Sequence, residues 1–269
     1  MLGVGRTEVN SKPIDNPIDL ASRGSTSYVQ LLHPRVISPL LSYDFSVRAS
    51  HVVNGTSFLG ATLDNRTNAN KYTLGVSQDV LLNTDWMRSR MTTGAQYTMI
   101  NTHYVDIYKD TTDSRATKLN LNVLYQLDAS SGWGGKLEFN AQPQRKLMPS
   151  AEKFVVGMDN VRAYKPGAAQ GDAGSSTSLD VYKTMYVDLD DAGTKLLTQP
   201  YAFVDYAKVQ DGAFEFASTS YKAMGYGLKV PFFAAYKGFS FDVYKAKAMA
   251  SSANRPSGQR FGLALNYLY

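Results

Sequence analysis

Cysteine is absent from the 269 residues, which excludes a disulfide framework, a thiolate metal site and a thiol nucleophile, and which suits an oxidising compartment. Long apolar runs are absent too. The two longest uncharged stretches, residues 49–63 and 91–105, span 15 residues each and are filled with Thr, Asn, Gln and Gly. A membrane-crossing helix needs about 20 apolar residues, so helical membrane proteins are excluded. Residues 1–20 have neither the charged start nor the apolar core of a signal peptide, and a mature, clipped or fragmentary chain is expected. Charge is scarce: 28 Lys and Arg against 23 Asp and Glu leave a formal +5. Basic residues such as Lys229, Lys237, Lys245 and Lys247 are scattered, so no nucleic-acid partner is expected. Lysines in such places are either simply solvated or in contact with anionic lipid head groups. Catalytic signals are equally sparse. His33, His51 and His103 have no metal-ligand spacing, and Asp188, Asp190 and Asp191 with Gly193 miss the calcium-loop pattern. Gly3-x-Gly5 has no following helix, and no Ser-His-Asp or paired-carboxylate arrangement can be assembled. An enzyme is not expected, nor is a cofactor or a metal.

What the sequence has instead is alternation with a period of two, the mark of strands with two different faces. In 41–49, Leu41, Tyr43, Phe45, Val47 and Ala49 oppose Ser42, Asp44, Ser46 and Arg48. In 118–127, Leu119, Leu121, Val123, Tyr125 and Leu127 oppose Lys118, Asn120, Asn122 and Gln126. The pattern predicts about eleven strands, near 26–33, 41–53, 71–82, 89–102, 116–128, 132–142, 176–189, 199–210, 223–233, 238–249 and 259–269. Gly, Asn, Asp, Ser and Pro fill the gaps, as in antiparallel turns. The fold class is all-β, and two architectures fit: a soluble sandwich or a membrane barrel. Segments of ten to thirteen residues match a tilted membrane strand of about 9 to 11 better than a globular strand of about 5 to 6. Tyrosines near strand ends (Tyr28, Tyr43, Tyr72, Tyr104, Tyr125, Tyr186, Tyr206, Tyr226, Tyr244 and Tyr267) suit an interfacial aromatic girdle. The barrel is therefore preferred: an antiparallel transmembrane β-barrel of the Gram-negative outer membrane. At the end of the sequence Phe261, Leu263, Leu265, Tyr267 and Tyr269 alternate with Gly262, Ala264, Asn266 and Leu268. That ending resembles the signal by which bacterial outer-membrane barrels are recognised for insertion.

Five segments occur in a telling order: Lys146–Phe154, Val156–Tyr164, Gly171–Gly174, Gln199–Ala207 and Gly225–Leu228. Together they resemble the C-terminal half of the two-partner secretion transporters (TpsB, haemolysin secretion and activation type), members of the outer-membrane protein-assembly superfamily. In that family a lead-in ending Glu-x-Phe precedes a Val-Arg-Gly-Tyr/Phe motif at the tip of a long loop folded back into the barrel lumen. A Phe-x-Asp strand and a Gly-x-Gly-Leu strand follow. The likeness covers about 145–269, and the earlier strands only in pattern.

The resemblance implies that Val161, Arg162, Ala163, Tyr164, Gly171 and Asp172 belong to a lumen-folded loop over about 154–175. It implies that Asp205 is the lumen carboxylate facing Arg162, with Asp180 standing where the family has a glutamate. Parity along the strand puts Tyr201 and Phe203 on the face of Asp205, and Ala202, Val204 and Tyr206 on the other. An aromatic patch around one carboxylate suits a dry seat for a plugging loop. Three family glycines are replaced, by Met158, Ala163 and Ala207, and the first two bear directly on the geometry of the loop tip. The implied function is secretion of an unfolded partner exoprotein through a barrel of sixteen strands, with the barrel assembly machinery and outer-membrane lipids as further partners. The family's periplasmic POTRA domains are absent from this sequence, which is expected to begin near the sixth strand. About eleven strands would leave unpaired edges in lipid, so a fragment, or closure with a different count, is expected. A general pore for small solutes and a membrane-protein assembly factor remain the alternative functions.

Overall fold

The computed structural model describes residues 2–11, 20–58, 61–105, 111–143, 147–149, 152–188, 195–211, 218–232, 239–249 and 258–267. The strands are β1 (Leu2–Ser11), β2 (Leu20–Ser38), β3 (Leu41–Phe58), β4 (Ala61–Asn83), β5 (Met87–Val105), β6 (Thr111–Ala129), β7 (Trp133–Gln142), β8 (Phe154–Val156), β9 (Ala169–Gly171), β10 (Ala173–Lys183), β11 (Met185–Asp188), β12 (Lys195–Gln210), β13 (Ser218–Phe232), β14 (Phe239–Met249) and β15 (Gln259–Tyr267). Thirteen of them form one sheet in the order β1-β2-β3-β4-β5-β6-β7-β10-β12-β13-β14-β15, with β11 alongside β12; β8 and β9 form a separate hairpin.

Each of the eleven expected strands is present. The count rises because β1 joins the sheet by pairing with β2, from Leu2 opposite Leu31 to Ser11 opposite Ser22, and because the expected 176–189 strand is two. It breaks at Thr184, whose amide turns aside to donate to the carbonyl of Gly132 (2.7 Å). Beyond that point β11 pairs only with β12.

The chain divides into two compact units. The first comprises Met1–Ser38, Ser42–Gln78 and Gly94–Asn120. Its exposed apolar residues follow the strand alternation, as with Val29 and Leu31 on β2 and Tyr72, Leu74 and Val76 on β4. Tyr28 departs from the expected girdle. It alternates with exposed Val29, its ring lies on Gly5, and the Arg48 guanidinium stacks over it at 4.1 Å. His51 bonds Asn70 (2.8 Å) and His103 bonds Asp113 (2.6 Å) in this unit.

The second unit, Pro39–Leu41, Asp79–Thr93 and Leu121–Tyr269, carries the site. Its strand register defines two faces. One row joins Leu179, Val204, Met224 and Lys247; the next joins Val181, Ala202, Tyr226, Lys245 and Phe261. This face is bare, with Val204 49% and Tyr226 62% exposed. On the opposite face Tyr201, Phe203, Asp205 and Ala207 are all buried. A strand can hide every second residue only if something lies on that face. On β6, Val123 and Tyr125 fall in register with Phe139 and Leu137 of the bare face, although burial separates its two sides less sharply. The rings of the buried face rest on glycines of neighbouring strands: Phe203 on Gly225, Tyr201 on Gly227 and Tyr244 on Gly262. A Cβ at Gly227 would stand 2.6 Å from the Tyr201 ring. Tyr244, expected in the interfacial girdle, therefore belongs to the covered face, where it is 8% exposed.

Candidate functional site

The cover comes from the 30-residue connection between β7 and β10, of which residues 143, 147–149 and 152–172 are described. At its root the Gln142 side chain donates to the carbonyls of Glu152 (2.9 Å) and Asp172 (3.0 Å). Asp172, 1% exposed, accepts the Met148 amide (2.8 Å) and faces Lys153 at 3.6 Å. Phe154–Val156 and Ala169–Gly171 form the β8–β9 hairpin, with Gly171 set against the backbone of Gln210. Between these strands the chain turns tightly. The Asn160 side chain accepts the Gly157 amide (3.0 Å) and donates to the Val155 carbonyl (2.8 Å), and the Val161 amide donates to the Gly157 carbonyl (2.7 Å). Gly167, at φ +69°, reverses the chain again beside the bond from the Ala168 amide to the Lys165 carbonyl. Arg162 sits at the tip so formed.

Apolar contact seats the loop. Val156 and Val161, both 0% exposed, pack with Ala207, Val209, Tyr221 and Ala223 of β12 and β13. Tyr164 meets the Tyr221 ring edge-on at 5.2 Å. Ala163, standing where the family pattern has a glycine, is packed against this cluster and against a second one of Tyr182, Tyr201, Phe203, Tyr244 and Ala246. The loop tip is thus docked with alanine in that place.

At the centre of the seat Arg162 and Asp205 form a fork. Nε donates to Oδ2 (2.9 Å) and Nη2 to Oδ1 (2.6 Å), and the Arg162 backbone amide adds a third bond to Oδ2 (2.9 Å). Nη2 also reaches Asp180 Oδ1 (2.6 Å) and Ser178 Oγ (2.8 Å); Ser178 in turn donates to Asp205 (2.8 Å). The Phe203 ring covers the guanidinium at 3.5 Å. Burial works against the Arg162 charge, and the hydrogen bonds with Asp205 and Asp180 outweigh it, so its pKa is raised. With Asp205 1% and Arg162 15% exposed, the bonds act at the strong end of the charged range, about 1.5–3 kcal/mol each.

The network extends past the fork. Lys229 lies 3.5 Å from Asp180 and 3.9 Å from Asp242, over the Tyr201 ring at 4.5 Å. Tyr201 donates to Asp242 (2.7 Å). Two cations thus meet three carboxylates beside a polar cavity of about 270 Å³ bordered by Lys136, Glu138 and Asn140. From β15, Arg260 donates to the carbonyl of Tyr164 (2.7 Å) and points a second amine at the Met158 sulfur (3.9 Å). Nothing in the sequence singles out Ser178, Lys229, Asp242 or Arg260; register alone brings them in.

The expected terminal signal is placed in part. Phe261, Leu263 and Leu265 lie on the bare face of β15, 71%, 67% and 67% exposed. Tyr267 ends the strand opposite Phe239, and Tyr269 is outside the described residues.

No protein-family model and no curated protein matches the sequence. Among solved structures the chain is similar to CdiB from Acinetobacter baumannii, a TpsB transporter, at 12% identity and a TM-score of 0.67, over 99% of this chain and 47% of that one. This chain spans about half the length of the CdiB chain. The β domain of the Bordetella autotransporter BrkA matches at 11% identity and a TM-score of 0.32, over 98% of this chain and 97% of that one. The transport unit of AIDA-I from Escherichia coli matches at 10% identity and 0.35, over 100% and 89%. Scores this low add nothing to the argument. What is shared with CdiB is the fold, an antiparallel transmembrane β-barrel of the Gram-negative outer membrane, as the strand alternation led one to expect.

Proposed function

We propose that the chain is the barrel portion of a two-partner secretion transporter, which passes an unfolded exoprotein from the periplasm to the cell surface. The observation that carries this reading is the loop tip held by the Arg162–Asp205 fork. A solute pore needs no folded plug pinned by a buried ion pair. A protein conduit needs a closed resting state that can be left. The seat suits both states: its aromatic floor of Tyr201 and Phe203 is dry under the loop, and its carboxylates and lysines border a polar cavity that can hydrate when the loop leaves. In this reading Val161, Arg162, Ala163 and Tyr164 are the plug tip, and Asp205 and Asp180 are its lumen partners. The alternating face of β15 serves both the lipid and the assembly machinery.

The test is secretion of the cognate exoprotein by the full-length transporter. Arg162→Ala and Asp205→Ala should each impair secretion, and the double variant should lose little more than either, because the second removal has no interaction left to break. Unchanged secretion in both single variants, with altered ion conductance only, would establish a solute pore instead. Deleting Tyr269 should leave barrel precursor in the periplasm; normal insertion would remove the terminal strand's role as a signal.

A further inference from the structure

The bare face of the second unit is apolar along most of its strands but not at one end. Lys208 on β12, Lys222 on β13, and Lys245 and Lys247 on β14 all project from it; the first, second and fourth are exposed and Lys245 is half-buried. The register makes them neighbours. Lys222 stands opposite Tyr206 and Met249, and Lys247 opposite Met224. Lys208 and Lys222 are therefore diagonal partners across one ladder, and Lys222 and Lys247 across the next, at about 7–8 Å. Lys245 precedes Lys247 by two residues on the same strand. Their cross-strand partners are Ser, Tyr, Met, Gln and Phe, none of them acidic. Among the described residues no carboxylate forms an ion pair with any of the four. Four like charges at these spacings repel one another unless an anion from outside joins them.

Their level in the membrane follows from the connections. At the lysine end the strands are joined by residues 143–172, 211–217 and 250–258; at the other end the joins are 130–132, 189–194 and 233–238. Outer-membrane barrels carry long connections outside and short turns on the periplasmic side, so the lysines lie at the outer leaflet. On β14, Lys247 and Lys245 lie two and four residues from the strand's end at Met249. The apolar band beneath Lys208 ends at Lys183, whose amine sits 5.3 Å from the centre of the Trp133 ring. From Ser175, opposite Lys208, to Lys183 is eight residues, roughly 26 Å along the strand. At a strand tilt of about 35–45° that is roughly 18–21 Å of height, within a lipid-facing band about 25 Å tall. The Lys222 and Lys245 amines lie over the rings of Tyr206 (5.8 Å) and Phe261 (5.4 Å), on stems long enough to carry them on to head-group level.

We propose that Lys208, Lys222, Lys245 and Lys247 form a binding site for the phosphates of a lipid of the outer leaflet, acyl chains lying along the apolar band below. The site depends on the barrel fold and on which end faces out, not on secretion. The experiment is binding of diphosphoryl lipid A, in mixed micelles, to the full chain purified in detergent, with phosphatidylcholine as the neutral control. Replacing each lysine with Gln should weaken lipid A binding about fivefold, the factors multiplying over the four, with a reduced salt dependence, while the Lys→Arg set retains it. Heat-modifiable mobility verifies that each variant is folded. Undiminished binding in the folded quadruple Gln variant, or equal binding of phosphatidylcholine, would overturn the site. Secretion by the same variants is read separately, so a failure here leaves the proposed transport function untouched, and the reverse.

Discussion

Arg162 carries a permanent charge into a place where little water follows, and Asp205 accepts three bonds from it there. Taking one partner from such a pair strands the other, at a cost of about 3–5 kcal/mol, more than the pair itself contributes. Asp205→Ala should therefore release the loop tip, and chymotrypsin cleavage after Tyr164 should rise by two to three orders of magnitude, on the order set by that cost. Arg162→Lys should release it too, since an ammonium cannot span both carboxylate oxygens. Unchanged cleavage in both variants would mean that the apolar contacts of Val156, Val161 and Tyr164 hold the loop alone. Arg162 and Asp205 are legible in the sequence because a motif order and strand parity mark them. Ser178, Lys229 and Arg260 are not: a polar residue at an inward position looks the same whether water or a loop lies beside it.

Among the strands, the glycines of β13 and β15 complement the rings of β12 and β14. Gly227→Ala places a methyl 2.6 Å from both the Tyr201 ring and the Val243 carbonyl. The variant should lose about 1–3 kcal/mol in reversible urea unfolding, and Tyr201→Ala in the same chain should recover only part of it, the backbone contact remaining. The two faces can be read directly, because the absence of cysteine makes single substitutions clean: Val204→Cys should react with a lipid-phase maleimide, and Ala207→Cys should not. Equal labelling would contradict the pleat. Alternation made most strands legible, since burial on one face imposes the period. It failed at β1, where Leu2 and Val4 give way to Arg6 and Glu8 and pairing with β2 supplies what composition does not. Nearness to a strand end misplaced Tyr28 and Tyr244, because a tyrosine on a glycine shelf and a tyrosine at a lipid interface share the same spacing from it.

At the scale of the molecule, the exposed apolar face has to be solvated by lipid. Leu263→Arg, opposite Val243 in the middle of β15, should cost about 2–4 kcal/mol in vesicles; no loss of stability there would argue that this face is not in the bilayer. Arg260 adds a dependence of another kind. It stands on the last strand of the sheet, and its bond to the Tyr164 carbonyl joins residues 96 positions apart. A chain in which β15 has not yet paired lacks that clasp, so the loop cannot be fully fastened before that strand is in place. Maturation then has a built-in order, and the protease sensitivity of the loop becomes a clock for the arrival of β15.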